Sequence, residues 1–152
     1  MADTVAPFGK ISDVDVVMSV ITPQPVVGLG NLLILNETTL PAQPLSDTLS
    51  AQDIDNGLLL RKTDKDTGAM YREYGTIDAV AIDYAEGTDV YKKAAGYFAQ
   101  DNHSDRVAVL DFDKTKEHDS LSAFWGFNWT FACLSVNPTD YADITALSTS
   151  FE

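Results

Sequence analysis

The first part of the chain alternates hydrophobic and polar residues. Residues 11–21 read Ile-Ser-Asp-Val-Asp-Val-Val-Met-Ser-Val-Ile, a pattern that predicts a strand with one solvent-facing side. Prolines at positions 23 and 25 end it. Residues 26–35 finish in the apolar run Leu-Leu-Ile-Leu, which predicts a strand buried on both faces. We therefore expect residues 1–37 to form an N-terminal β segment, as an arm or a hairpin.

Residues 38–70 lose this pattern. Prolines, glycines and many Ser, Thr and Asp residues interrupt every periodicity, so we expect a long polar excursion with a short hairpin near 57–61. A connection of this length is uncommon inside a compact domain and usually has a function. The excursion is therefore a candidate contact surface.

Helical spacing begins after residue 71. Thr76 is placed to cap one helix, which Gly87 ends, and Thr88 is placed to cap a second helix over 89–100. Residues 106–112, Arg-Val-Ala-Val-Leu-Asp-Phe, predict a strand. This helix-to-strand unit has both of its boundaries marked in the sequence.

The same order of elements then repeats in a shorter form. Asp119 or Ser120 is expected to cap a short helix, 129–136 to form a strand, and Thr139 or Asp140 to open a final helix. Strands that alternate with helices predict an α/β fold whose sheet is mostly parallel and joined by crossover helices.

The hydrophobic content bounds the domain count. With 152 residues that are 45% hydrophobic, the chain has enough apolar surface for one core, so 1–37, 38–70 and 71–152 are expected to form one domain. In a doubly wound sheet, a final helix normally delivers another strand. This leaves open whether 71–152 is complete or is an incomplete part of a longer domain.

The charge excludes several functions. A formal net charge of -13 provides no basic face for phosphates, so we expect no direct binding to nucleic acid or to an anionic membrane. The N-terminus has no signal-like basic and apolar segments, and no run reaches about 18 apolar residues. We expect a soluble protein made in the cytoplasm. Cys133, the only cysteine, is expected to act as a small core side chain.

No metal or cofactor is expected. Asp64-Lys-Asp-Thr-Gly begins like a calcium loop, but the twelfth position, which should carry a bidentate Glu, is Gly75. His103 and His118 lack the spacing of a metal site.

One motif suggests chemistry. Asp111-Phe-Asp-Lys-Thr, directly after an apolar strand, resembles the first motif of haloacid-dehalogenase-type phosphatases. That resemblance implies Asp111 as nucleophile, Asp113 as acid/base and Mg²⁺ between carboxylate and phosphate. Ser135 is placed like that family's second motif. The family also needs a later Lys, and no Lys or Arg follows Lys116.

The frequency of aspartate weakens this motif. Asp-x-Asp occurs four times in the chain, at 13/15, 53/55, 64/66 and 111/113. A strand followed by a solvated acidic loop explains Asp111 and Asp113 more simply than a catalytic pair does. The phosphatase stays an alternative, as does a non-enzymatic α/β module that binds a ligand through 38–70.

Six stretches outside 38–70 form a further pattern. They are Val-Val-Gly-Leu-Gly-Asn-Leu-Leu-Ile-Leu (26–35), Tyr-Gly-Thr-Ile-Asp-Ala-Val (74–80), Val-Tyr-Lys-Lys-Ala-Ala-Gly-Tyr-Phe-Ala-Gln (90–100), Arg-Val-Ala-Val (106–109), Trp-Thr-Phe-Ala-Cys-Leu (129–134) and Asp-Tyr-Ala-Asp-Ile-Thr-Ala-Leu (140–147). Through them, most of the chain outside 38–70 resembles the N-terminal portion of bacteriophage contractile-tail sheath proteins. Members of that family are usually much longer, and the 38–70 excursion is not part of their pattern.

The resemblance implies a mechanical and non-enzymatic role. Copies of the chain would surround a tail tube protein in the virion, after synthesis in the host cytoplasm, and terminal strands would add to a neighbour's sheet. The strand 11–21 is the candidate arm, although an ordinary edge strand of its own sheet explains it equally well. Its candidate self-assembly residues are Val14, Val16, Met18 and Val20.

Overall fold

The computed structural model describes residues 30–43 and 45–136, together with Thr149. Of the predicted final helix only Thr149 is described, and it is helical. The predicted strand 11–21 lies outside the described residues, and so do its candidate assembly residues Val14, Val16, Met18 and Val20.

Five strands and four α-helices make up the described part of the chain. In chain order they are β1 (Leu32–Glu37), α1 (Ala51–Asp55), β2 (Leu58–Thr63), β3 (Met70–Tyr74), α2 (Ile77–Asp83), α3 (Asp89–Phe98), β4 (Val107–Phe112), a 3-10 turn (Lys114–Lys116), α4 (Glu117–Ala123) and β5 (Phe131–Leu134).

The strands form one mixed sheet in the order β2-β3-β4-β1-β5. β1 runs parallel to both β4 and β5, whereas β3 runs antiparallel to both β2 and β4. The predicted α/β fold is confirmed, but the prediction of a mostly parallel sheet is wrong, because two of the four described pairings are antiparallel. The difference comes from β2 and β3, which pair with each other across a short turn and extend the sheet beyond β4.

Helices cover both faces of the sheet. Alternate residues of β1 and β4 point to opposite faces, so each strand contributes to two separate cores. On the first face, which α2 and α3 cover, the core contains Leu32, Ile34, Leu58, Tyr74, Ala79, Val80, Tyr84, Val90, Ala94, Tyr97, Val107 and Val109. On the second face, which α4 covers, it contains Leu33, Leu35, Ala69, Tyr71, Ala108, Leu110, Phe112, Leu121 and Phe124.

Both predicted threonine caps are confirmed. The hydroxyl of Thr76 accepts a hydrogen bond from the N–H of Ala79 at 3.1 Å, and that of Thr88 accepts one from the N–H of Tyr91 at 3.3 Å. Each bond satisfies one of the helix's free N-terminal donors. These two local signals therefore set where α2 and α3 begin.

The predicted excursion 38–70 contains regular structure. Ser50 and Asp53 form a capping box that starts α1, and β2 then joins the sheet beside β3. The register of β2 shifts between Leu58 and Leu60, which breaks the simple alternation that a strand prediction relies on. This irregularity explains why the sequence pattern did not predict β2 as a full strand.

Candidate functional site

The carboxyl ends of β1 and β4 lie side by side. After β1 the chain forms α1, β2 and β3 before it reaches α2 and α3 on one face, and after β4 it passes through the 3-10 turn to α4 on the other. Ligands of open α/β sheets bind beyond the carboxyl ends of the parallel strands. In this chain the position belongs to Asn36 and Asp111, which are register partners.

Asp111 is buried at this edge, with only 4% of its surface exposed, and both of its carboxylate oxygens have protein partners. One carboxylate oxygen accepts a hydrogen bond from Asn36 Nδ2 at 2.6 Å, and the other accepts one from the Tyr84 hydroxyl at 2.8 Å. The second oxygen also lies 3.3 Å from a guanidinium nitrogen of Arg72. Asp111 therefore faces protein donors rather than solvent.

Further polar groups extend these contacts into what we call the Asp111 network. Arg72 lies 3.3 Å from the carboxylate of Asp83, which also accepts a hydrogen bond from the Tyr74 hydroxyl at 2.7 Å. On the opposite side, Ser135 donates to Asn36 Oδ1 at 3.0 Å. The network comprises Asn36, Arg72, Tyr74, Asp83, Tyr84, Asp111 and Ser135.

The buried setting shifts the pKa of several groups. Burial raises the pKa of Asp111, although the Asn36 hydrogen bond, the Arg72 charge and the Tyr84 hydroxyl act in the opposite direction. Burial and the neighbouring Asp111 carboxylate hold the pKa of Tyr84 well above its usual value. Burial alone would lower the pKa of Arg72, but its tyrosine and Asp111 partners outweigh this effect and raise it. Arg72 therefore stays a cation.

The two predicted phosphatase residues have different surroundings. Asp111 lies inside the network. Asp113 lies outside it and is only partly buried, and its carboxylate accepts hydrogen bonds from the N–H of Thr115 at 2.8 Å and from the Thr115 hydroxyl at 2.5 Å. Asp113 thereby caps the 3-10 turn, which also explains why its pKa is lowered. The expected solvated acidic loop thus describes Asp113 but not Asp111.

Ser135, which is placed in the sequence like the second phosphatase motif, is linked to Asp111 only through Asn36 and is 3% exposed. The sequence did not point to Asn36, Arg72 or Tyr84. One sequence feature could have pointed to the network: Arg72 and Glu73 stand within Tyr-Arg-Glu-Tyr, as two charged residues in a stretch that is otherwise aromatic.

No metal centre is formed within the described ranges. No group of three His, Cys, Asp or Glu side chains in 30–43 and 45–136 is arranged to hold an ion. In the sequence that begins like a calcium loop, the Asp64 carboxylate accepts hydrogen bonds from the N–H and the hydroxyl of Thr67 at 2.8 and 2.6 Å. These hydrogen bonds stabilise the turn between β2 and β3, and the one from the Thr67 hydroxyl is the main reason that the pKa of Asp64 is lowered.

The two edges of the sheet differ. At the β2 edge, the Asp47 carboxylate accepts the backbone N–H of Thr63 at 2.8 Å and so occupies a donor that another strand could use. At the other edge, β5 pairs with β1, and Phe131 leaves 42% of its surface exposed. In the described part of the chain, β5 is therefore the more open edge.

The direction of the β5 backbone groups follows from its register. Phe131 is the partner of Leu32, and the N–H of Ser135 donates to the Leu35 carbonyl at 2.8 Å. Backbone groups point alternately to the two sides of a strand, so those of Ala132 and Leu134 are directed away from β1.

The chain has no match among protein-family models, curated proteins or solved structures. In the part that the structure describes, no helix has the length and apolar character to cross a membrane.

Proposed function

We propose that this chain is a sheath-like structural subunit of a contractile phage tail, which assembles with copies of itself around a tail tube in the virion. The observation that carries this proposal is the open edge at β5. Ala132 and Leu134 direct backbone donors and acceptors outward, so an extended segment of another subunit can add to the sheet by main-chain hydrogen bonds.

The Asp111 network favours this proposal over the phosphatase. A nucleophilic carboxylate must reach both a phosphate and a metal ion. Asp111 would first have to leave Asn36, Tyr84 and Arg72, which hold it at 2.6, 2.8 and 3.3 Å. Breaking these contacts in a buried site costs free energy, because the donors then lose their partners. A structural role for the network explains the same contacts without this cost.

The proposed arm is the predicted strand 11–21, with Val14, Val16, Met18 and Val20 as its assembly residues. Its Val-rich, two-faced pattern is typical of a segment that pairs with an exposed strand. The acidic charge of the chain would keep free subunits apart and soluble before assembly.

A proline at Ala132 tests the proposal. Proline removes one of the two outward N–H groups of β5 and its ring obstructs a strand that would pair there, while the hydrogen bonds to β1 remain. Edge strands tolerate proline at such positions. Ala132→Ser keeps the N–H and is the matched control. We expect wild type and Ala132→Ser to form rings, tubes or concentration-dependent oligomers, and Ala132→Pro to stay monomeric.

Electron microscopy and sedimentation over a range of concentrations measure this result, with circular dichroism to check that each variant is folded. A wild-type chain that is monomeric at every concentration and is absent from virions would contradict the proposal. Assembly of Ala132→Pro as readily as wild type would exclude β5 as the contact.

A further inference from the structure

The open edge at β5 lies in an uncharged stretch of the chain. Residues 121–136 contain no Asp, Glu, Lys or Arg, in a chain whose formal net charge is -13. The strand at the other edge of the described sheet, β2, carries Arg61 and Lys62. Two copies of so acidic a chain repel each other, and the repulsion is weakest where their charged residues are farthest apart. A contact between two copies therefore meets little repulsion at β5.

Two β5 strands can pair with each other in an antiparallel register that uses both of their outward residues. Ala132 and Leu134 direct their backbone groups away from β1, whereas the N–H of Ser135 points to it. When Ala132 of one copy faces Leu134 of the other, each such pair exchanges two main-chain hydrogen bonds. A two-fold axis then passes between the two strands at Cys133.

The side chains of β5 complement their own copies in this register. Phe131 and Cys133 lie on the first face of the sheet, and Ala132 and Leu134 lie on the second. Across the axis, Phe131 is opposite Ser135 and Ala132 is opposite Leu134, so each pair places a large side chain against a small one. Phe131, which is 42% exposed in the single chain, would lose contact with water.

From these observations we propose that two free subunits pair antiparallel through their β5 edges and extend the sheet across a two-fold axis at Cys133. The described residues supply both halves of the contact, because an isologous interface uses the same surface twice. The inference goes beyond the proposed function and does not depend on it. An arm that adds to β5 during assembly has to displace this pair, so the pair protects the open edge of a free subunit until then.

Disulfide cross-linking of the full-length chain tests the proposal. Opposite residues of a non-hydrogen-bonded antiparallel pair have Cα atoms about 4.5 Å apart, a separation that a disulfide can span. Diamide, an azo oxidant, accepts the two electrons and two protons that two thiols lose when the S–S bond forms. Because Cys133 is the only cysteine, a covalent dimer of the 16.5 kDa chain on a non-reducing gel must be linked through it.

Cys133→Ser/Leu59→Cys is the matched control, since Leu59 is 43% exposed and lies in β2 at the opposite edge of the sheet. Burial raises the pKa of the Cys133 thiol, although the Lys93 charge acts in the opposite direction, so chance collisions alone would cross-link Cys133 more slowly than the control. We expect the reverse, with wild type the faster of the two. Ala132→Pro should lower the wild-type rate about tenfold, because the pair loses two main-chain hydrogen bonds.

Wild type that cross-links no faster than the control would overturn the proposal. So would Ala132→Pro that is folded by far-UV circular dichroism and cross-links as fast as wild type. The first comparison needs no proline, so it decides the question even if Ala132→Pro is unfolded. Rapid cross-linking of a chain that is absent from virions would support this inference and contradict the proposed function, whereas rings or tubes without faster cross-linking would do the opposite.

Discussion

Replacement of Arg72 by Met should destabilise the protein strongly. Arg72 has a side chain that is 7% exposed and lies 3.3 Å from both Asp111 and Asp83. Methionine keeps much of the packing volume but leaves Asp111 buried without its cation. Removal of one partner of a buried ion pair costs about 3–5 kcal/mol, a large part of the 5–15 kcal/mol by which domains are stable.

Arg61→Met provides a matched control, because Arg61 is the cross-strand partner of Arg72 in β2. Arg61 lies 3.8 Å from Asp53, a longer contact with a more exposed carboxylate. Its replacement should cost about 1 kcal/mol, as partly exposed pairs do. Urea denaturation followed by far-UV circular dichroism measures both variants. Equal losses in the two variants would refute the view that Arg72 compensates a buried charge.

The pH dependence of the Arg72→Met variant is a second measurement of the same effect. Burial raises the folded-state pKa of Asp111, so its contribution to stability is greatest below the unfolded pKa and is lost as the pH rises through the folded pKa. Loss of Arg72 raises the folded pKa further. The difference in free energy of unfolding between wild type and Arg72→Met should therefore grow from about pH 4 to pH 7. The double variant Arg72→Met/Asp111→Asn should show a smaller growth, because it has no carboxylate at position 111. A difference that stays constant over this pH range would contradict the role of Arg72 as the cation that compensates Asp111.

Three further substitutions test other parts of the fold and the enzyme alternative. Gly30→Ala should lower the free energy of unfolding by about 1–3 kcal/mol in urea denaturation, because φ is 68° and the new Cβ would lie 2.2 Å from Thr130. Gly96→Ala should instead stabilise α3 by about 0.5–1 kcal/mol, because its Cβ would meet nothing within 4 Å. Thr88→Ala should cost about 1 kcal/mol through the lost cap, and an unchanged denaturation midpoint would contradict that role. In millimolar Mg²⁺ we expect the wild-type protein not to hydrolyse phosphate esters. Hydrolysis by the wild type that is lost in Asp111→Asn would favour the phosphatase instead.

Local signals in the sequence predicted much of the fold. Thr76 and Thr88 predicted the starts of α2 and α3, since a cap depends on a hydrogen bond to a residue three positions away. Apolar runs predicted β1 and β4. Among the described residues β1 begins at Leu32, and residues 26–29 of the predicted strand lie outside the described part of the chain. These features need only neighbouring residues, so one sequence is enough to infer them.

The antiparallel half of the sheet could not be predicted in this way. β3 reads Met-Tyr-Arg-Glu-Tyr and is buried throughout, although charged residues normally indicate a solvent-facing position. Arg72 and Glu73 are buried because Asp111 and Arg106, more than thirty residues away in the chain, neutralise them. The same distant pairing hides Asp111, which the sequence placed in a solvated loop.

These buried charges also specify how β3 pairs with β4. Arg72 faces Asp111 on the first face of the sheet, and Glu73 faces Arg106, at 2.9 Å, on the second. A slip of one residue turns every side chain of a strand to the other face. It would bring Glu73 to the face of Asp111 and Arg72 to that of Arg106, placing like charges together in two buried sites. Because an uncompensated buried charge costs several kcal/mol, the opposite charges on the two faces exclude the slipped register more firmly than apolar residues could. The strand that a sequence pattern could not identify is thus the one whose position depends most on specific charged residues.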